Sequence, residues 1–220
     1  MLDDVIALGD DVRPATLFAA YRHGCFPWPA PGWPSIPWCS PLARAVLPAA
    51  DPHVSRSLRT TLRQSGWTTT VDVAFDDVVR RCAARPSTWI TSAMASGYSA
   101  LHRAAHAHSV EVWEDDRLIG GLYGVLTGGV FSGESMFHRV SDASKVALVD
   151  LAARFAAAGG ALLDCQQPTD HLRRMGAVVL PRPEYLHLLR GLRDQPVTLD
   201  RERLPVARLA ATGVGEEPAP

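Results

Sequence analysis

Two stretches of the chain place carboxylate and amide side chains where short apolar strands are predicted to end. Residues 131–137 read Phe-Ser-Gly-Glu-Ser-Met-Phe, and residues 162–166 read Leu-Leu-Asp-Cys-Gln. Because residues i and i+2 of a strand share a face, Asp164 and Gln166 are predicted to point into one cleft, near Glu134 at a neighbouring strand end. A carboxylate in such a cleft can orient an amide that accepts a hydrogen bond from an incoming amine. These side chains suit a group-transfer reaction, although none of them is an obvious nucleophile.

Apolar periodicity and turn residues predict the elements that must position these side chains. Pro14 suits a first helical turn that Gly24 can end, and Asp142 or Ser141 can cap a later helix that ends at Gly159. The predicted helices cover 14–21, 53–64, 75–83, 91–106, a stretch from 142 to 158, a short turn near 171, and 183–192. The predicted strands cover 45–47, 67–71, 109–113, 118–126, 130–132, 161–165 and 177–180.

This order of elements predicts an α/β (α+β) fold, an acetyltransferase-like mixed sheet that splays near its centre and is flanked by helices. We expect a small N-terminal domain at 1–42, a catalytic domain at 43–204 and a flexible tail at 205–220, which is rich in Ala, Pro, Gly and Glu.

Residues 26–41 contain six prolines and three tryptophans, too many missing N–H donors for a helix or a central strand. The stretch is therefore predicted to be a structured aromatic loop. Two interpretations stay open: a lid that packs over the end of a core, and a stacking surface for the end of a nucleotide chain.

Composition indicates an ordinary globular protein of 220 residues with a formal net charge of −1. No run approaches the roughly eighteen apolar residues of a membrane span, and the first residues carry acids where a signal peptide carries basic residues. We therefore expect a cytoplasmic monomer with no membrane partner. The four cysteines form no Cys-x-x-Cys pair and are expected to be reduced. No metal site is expected, because no carboxylate or thiol completes the spacing of His102, His106 and His108.

Arg56, Arg59 and Arg63 recur at i, i+3 and i+7 of a predicted helix, which places three guanidinium groups on one face. Such a face can follow a phosphate backbone, with a salt-sensitive affinity. The alternative is an ordinary solvated helix face.

Nine blocks in order along the chain resemble the signature blocks of the leucyl/phenylalanyl-tRNA–protein transferase family. Together they span roughly residues 5 to 192, which makes a chance match hard to obtain. The blocks are residues 21–29, 38–47, 53–58, 88–91, 108–113, 120–125, 133–137, 143–148 and 163–166.

The resemblance implies a donor aminoacyl-tRNA charged with leucine or phenylalanine, and acceptor proteins that begin with Arg or Lys and are thereby marked for degradation. It implies that Asp164 orients Gln166, whose side-chain oxygen holds the attacking amine or takes its proton, and that Glu134 binds the free amino group of the donor. No cofactor is implied.

The resemblance also implies binding roles for five apolar or aromatic residues. Trp28, Trp89 and Tyr98 would contact the terminal adenosine and the acceptor, and Phe131 and Met136 would shape the apolar pocket for the donor side chain.

Two other functions compete with this interpretation. A coenzyme A-dependent N-acetyltransferase is the nearest enzyme class in fold, but residues 138–144 lack the glycines that let a backbone approach a pyrophosphate. A non-catalytic module that binds tRNA or protein N-termini would differ only by the lack of turnover.

Overall fold

The computed structural model describes residues 2–85 and 88–211. Its helices are α1 Pro14–Arg22, α2 Arg56–Gln64, α3 Phe75–Ala83, α4 Ser92–Arg103, α5 Ala143–Ala157, α6 Asp170–Arg174 and α7 Arg182–Leu192, with 3-10 turns at Leu2–Asp4 and Val206–Ala211. Its strands are β1 Val5–Leu8, β2 Phe26–Pro27, β3 Pro37–Cys39, β4 Ala43–Pro48, β5 Thr68–Val71, β6 Ala107–Glu114, β7 Arg117–Thr127, β8 Val130–His138, β9 Leu162–Gln166, β10 Val178–Pro181 and β11 Leu204–Pro205.

The eight strands of the main sheet follow the order β10-β4-β9-β8-β7-β6-β5-β11. Neighbours are antiparallel except β8 and β9, which are parallel. The register of that pair ends at Ser132 opposite Asp164, although β8 continues to His138 along β7. The two strands therefore part near the middle of the sheet. This confirms the predicted mixed sheet flanked by helices.

Helix α5 lies directly against β7, and Gly120 of β7 permits the close approach. A Cβ on Gly120 would be 2.5 Å from the Cβ of Ala143 at the start of α5. Gly124 of β7 allows a close approach to the neighbouring strand β8, where a Cβ would be 2.2 Å from the carbonyl oxygen of Ser132. Because α5 is apolar on most sides, it is buried along most of its length. The first turn of α5 is thereby fixed beside the strands that part.

The N-terminal segment shares a hydrophobic core with the main sheet. Leu17 and Tyr21 of α1, with Phe26 and Trp38, pack in one cluster with residues of α3, α4 and β7. Strands β1, β3 and β2 form a separate three-stranded sheet. A division of the chain at residues 42 and 43 stays a prediction.

Three local features differ from the sequence expectations. Strand β8 extends beyond residue 132, so Glu134 lies within a strand instead of after its end. The aromatic segment 26–41 contains two short strands, β2 and β3. Asp142 precedes α5 in a left-handed conformation with φ of 69°, and its side chain makes no cap hydrogen bond.

The segment predicted to be a loose tail from residue 205 begins as part of the core. Residues 206–211 form a 3-10 turn in which Val206 and Leu209 are buried, since they pack in the cluster that α2 and α5 share. Arg59 of α2 donates a hydrogen bond to the carbonyl oxygen of Ala210. The tail was predicted from composition, which does not reveal that individual apolar residues such as Val206 and Leu209 are buried. Residues 212–220 lie outside the described range.

No helix among the described residues is long and apolar enough to cross a bilayer.

Replacing Leu209 by Ala should lower the free energy of unfolding by about 2–5 kcal/mol, because the side chain is 1% exposed. Leu188→Ala is the matched control, since Leu188 is 41% exposed, and should change stability by less than about 0.5 kcal/mol. Urea denaturation measures both. Equal costs for the two variants would contradict the packing of residues 206–211 into the core.

Candidate active site

A buried ion pair stands where β8 and β9 part. The guanidinium of Arg44 on β4 donates from Nε to Oδ1 of Asp164 at 2.7 Å and from Nη2 to Oδ2 at 2.6 Å. Both side chains are at most 1% exposed. The hydroxyls of Tyr185 and Ser132 donate to Asp164 Oδ2 at 2.9 and 3.0 Å. Both carboxylate oxygens of Asp164 thus accept hydrogen bonds from other residues of the protein.

Arg44 lies between two aromatic rings that enclose its charge. Its guanidinium carbon is 4.8 Å from the centre of the Phe26 ring and 4.4 Å from that of Tyr185. Burial works against the charged form, but Asp164 and Tyr185 outweigh it and raise the pKa of Arg44 above its ordinary value. Arg44 therefore keeps its charge in the interior.

Gln166 is held by its backbone and by its side-chain nitrogen. Its backbone N–H donates to Asp164 Oδ1 at 3.0 Å, and its Nε2 donates to Oε1 of Glu134 at 2.6 Å. Gln166 has a φ of 64°, so the strand rule that places i and i+2 on one face does not apply to it. Asp164 contacts the main chain of Gln166, and the expected orienting role of Asp164 stays a prediction.

The orientation of the Gln166 amide decides what it offers to a ligand. With Nε2 engaged by Glu134, Oε1 is the remaining polar atom, and no described residue donates a hydrogen bond to it. An amide oxygen in this position can accept a hydrogen bond from an amine.

Glu134 is the second group that can meet an amine. Tyr98 donates its hydroxyl to Glu134 Oε2 at 2.6 Å, and the hydroxyl of Tyr21 lies 2.9 Å from that of Tyr98. Burial raises the pKa of Glu134 to about 7, against the hydrogen bonds from Tyr98, Tyr21 and Gln166, which lower it. Glu134 as a whole is half-buried, so the residue lies near the solvent-accessible surface although its carboxylate is enclosed.

The three aromatic residues of the expected binding surface lie together, but they do not share one role. Trp28 and Trp89 are half-buried and stacked, with ring centres 5.9 Å apart. Tyr98 packs edge-on against Trp89 at 6.4 Å and is fully buried. Its hydroxyl is bonded to Glu134, and a contact between Tyr98 and substrate stays a prediction.

An apolar cavity of about 240 Å³ opens beside Glu134. Phe131 and Met136 line it, as expected from the sequence, and Asp164 and Cys165 lie at its edge. Five leucines of the lining escaped the sequence analysis, because leucines in strands and helices have the spacing of any core: Leu122, Leu148, Leu151, Leu163 and Leu172.

The three arginines of α2 are not equivalent. Arg56 and Arg63 are exposed. Arg59 is half-buried and bonded to the C-terminal segment, so the three do not form one free stripe.

Two of the histidines considered for metal binding approach the same carboxylate, and the third stacks on an aromatic ring. His108 lies 2.7 Å from a carboxylate oxygen of Asp72, and His102 lies 3.7 Å from the other oxygen. His106 stacks on Phe18 at 3.7 Å. Within the described part of the chain, no group of three or more potential ligands is placed to hold a metal ion.

Arg44 and Tyr185 hold Asp164 in the candidate site, and sequence reasoning missed both. A signal existed for the first, since an arginine between alternating apolar residues of a strand needs a buried acid as partner. Tyr185 carried no such signal, because a tyrosine on an amphipathic helix is ordinary.

Residues 46–190 match the family model described as leucyl/phenylalanyl-tRNA protein transferase, and residues 10–42 match the model of the N-terminal domain of the same family. The chain belongs to this family.

Curated relatives carry the name leucyl/phenylalanyl-tRNA–protein transferase. The protein of Chromohalobacter salexigens is 52% identical over 89% of this chain and 78% of its own length. That of Nitratidesulfovibrio vulgaris is 47% identical over 92% and 88%, and that of Pseudomonas syringae is 48% identical over 89% and 87%. A solved structure from Staphylococcus epidermidis, of 10% identity and TM-score 0.40 over 63% of this chain and 57% of its own, is too distant to bear on the fold.

The raised pKa of Glu134 predicts a pH-dependent stability. Because its pKa rises from 4.5 in the unfolded chain to about 7 in the folded protein, the folded state holds this proton more tightly. The stabilising contribution is complete below about pH 4.5 and is lost as the pH rises to about 7. Glu134→Gln, which cannot ionise, should lack this decline.

Urea unfolding at several pH values measures the effect as the difference between wild type and Glu134→Gln. The free energy of unfolding of wild type minus that of Glu134→Gln should fall between about pH 4.5 and about pH 7 and level off above about pH 7. Glu184→Gln, at an exposed glutamate of α7, is the control and should give a profile close to wild type. A constant difference between wild type and Glu134→Gln would contradict the raised pKa.

Proposed function

We propose that this protein transfers leucine or phenylalanine from aminoacyl-tRNA to the N-terminal Arg or Lys of acceptor proteins, with formation of a peptide bond that marks the acceptor for degradation. Family membership supports aminoacyl transfer from tRNA to proteins. The observation that carries the mechanism is the Glu134–Gln166 hydrogen bond, which leaves a carboxylate and an amide oxygen side by side above an apolar cavity.

Glu134 and the apolar cavity recognise the aminoacyl group of the donor. The α-ammonium of the amino acid binds the Glu134 carboxylate, and its side chain enters the cavity that Phe131 and Met136 line. An apolar cavity favours leucine and phenylalanine, because burying a polar side chain there would leave it without hydrogen bonds. The apolar lining thus supports donors with apolar side chains, of which leucine and phenylalanine are the proposed ones.

Gln166 and Asp164 serve the acceptor amine. The Gln166 Oε1 atom accepts a hydrogen bond from the α-amine and directs its lone pair to the ester carbonyl. The C–N bond forms, the ester C–O bond breaks, and the amine proton passes to the departing ribose oxygen. An amide is a weak base, so Gln166 orients the amine, and Asp164 acts as its positioning residue.

The stacked Trp28 and Trp89 give the donor its nucleotide contact. Both are half-buried and offer ring surface on which the terminal adenine can stack. On α2, Arg56 and Arg63 meet tRNA phosphates, while Arg59 belongs to the same basic face and also holds the C-terminal segment.

The wider setting of the reaction follows from the same features. The parallel pair that parts in a mixed sheet supports an acetyltransferase-like fold. We place the enzyme in the cytoplasm, where aminoacyl-tRNA is made, and expect a monomer that needs no cofactor.

Gln166→Ala should reduce turnover about a hundred- to a thousand-fold, because a polar group acting on the attacking amine is lost. The Michaelis constants for both substrates should change less, since ground-state binding depends on Glu134 and the cavity. The assay follows transfer of labelled leucine from Leu-tRNA to a peptide that begins with Arg.

The adjacent residue provides the matched control. Gln167→Ala removes the same side chain one position along, where no hydrogen bond to the site exists among the described residues, and should keep near wild-type turnover. If Gln166→Ala and Gln167→Ala were equally active, Gln166 would have no role in the mechanism. If wild type made no labelled peptide at all, the proposed function would be wrong.

A further inference from the structure

A second cavity, of about 660 Å³, lies between α3 and the start of α5 and is lined by basic side chains. We define the basic cavity by the six Arg, Lys and His residues that line it: Arg81, Arg85, His138, Arg139, Lys145 and His171. Among the described residues that line it, Asp142 alone carries a carboxylate. The cavity is therefore a concentration of positive charge on a chain with a net charge of −1.

Most of this charge is not neutralised by the protein. Asp142 pairs with Lys145 at 2.6 Å. Arg85 donates to the carbonyl oxygen of Met136, which carries no formal charge. The Arg139 side chain makes no ion pair with any residue in the described ranges, and it faces Arg81 closely enough to influence that group. Asp77 partly offsets the charge of Arg81, but the basic side chains of the lining outnumber the acids beside them. Guanidinium groups held together in such an excess form a receptor for an anion.

The pKa values of two groups are lowered in part by repulsion between the positive charges of the basic cavity. Burial and then the neighbouring Arg139 hold the pKa of Arg81 below its ordinary value. Burial and then Lys145 lower the pKa of His171. A bound anion would relieve this repulsion in both places.

The basic cavity adjoins the apolar cavity of the active site. Arg85 and Met136 line both, so an anion in one is next to an aminoacyl group in the other. In a charged tRNA the ester stands on the terminal ribose, and the nearest phosphate is attached to that same ribose. We propose that the basic cavity binds phosphate groups of the 3′ end of the tRNA donor; this rests on the proposed function.

The charge and the position of the basic cavity favour tRNA over the other substrate. An acceptor that begins with Arg or Lys brings positive charge and is repelled from the cavity. Helix α2 borders the cavity, since Thr61 donates to Asp142 Oδ2 at 3.2 Å.

Coenzyme A is the competing phosphate ligand. Residues 138–144 line the basic cavity but contain no glycine, so the backbone offers no cradle for a pyrophosphate. Recognition by separate side chains suits phosphodiesters spaced along a strand.

The test measures binding of deacylated tRNA to Arg139→Gln and to Lys145→Gln as a function of salt. Each substitution should weaken binding, and should lower the slope of log affinity against log salt by about 0.7–0.9, the value for one lost phosphate contact. Arg190→Gln is the matched control, because it removes the same charge from an exposed site on α7 outside the lining. It should keep the wild-type slope.

The outcomes separate this inference from the proposed function. If both cavity variants keep the slope of Arg190→Gln while wild type binds tRNA and transfers leucine, the inference is overturned and the function stands. If coenzyme A binds wild type at micromolar concentration by calorimetry and Arg139→Gln abolishes that binding, the cavity is a coenzyme site and the inference is again overturned. If wild type does not bind tRNA, the proposed function itself fails.

Discussion

The buried ion pair of Arg44 and Asp164 is the constraint on which the site depends. Removing either partner leaves a charge in a water-free interior, a loss of about 3–5 kcal/mol for pairs of this kind. The pair joins elements distant in sequence, since Arg44 also donates to the carbonyl oxygen of Gly24, and Tyr185 of α7 donates to Asp164. The N-terminal segment, the sheet and the last helix therefore meet where β8 and β9 separate.

Two groups that can bind an amine depend on this fixed point. Asp164 holds the main chain of Gln166, whose side chain donates to Glu134, and this hydrogen bond leaves the amide oxygen without a donor among the described residues. Glu134 is in turn held by Tyr98, which Tyr21 supports. In the proposed function, this series of buried hydrogen bonds offers one carboxylate to the donor amine and one oxygen to the acceptor amine, so that catalysis is positioning.

The sequence predicted most elements and the chemistry-bearing residues, but not their connections. Helices such as α3 and α1 follow from apolar periodicity and from Pro14, which are local signals. The parting of β8 from β9 was expected, yet the length of β8 was not, because pairing with β7 is a long-range property. The left-handed Gln166 and the Arg44 partner of Asp164 depend on the folded environment. The basic cavity is lined by residues of α3, β8, α5 and α6, which are distant in sequence, so no spacing of residues along the chain predicts it.

The central claim is that Asp164 acts only by holding Gln166. Single-turnover rates of peptide-bond formation for Asp164→Asn, Gln166→Ala and the double variant, each corrected for its folded fraction, test this most directly. If the two residues act as a unit, the double variant is no slower than the slower single variant. Rate losses that multiply in the double variant would contradict the account, because Asp164 would then contribute to transfer independently of Gln166.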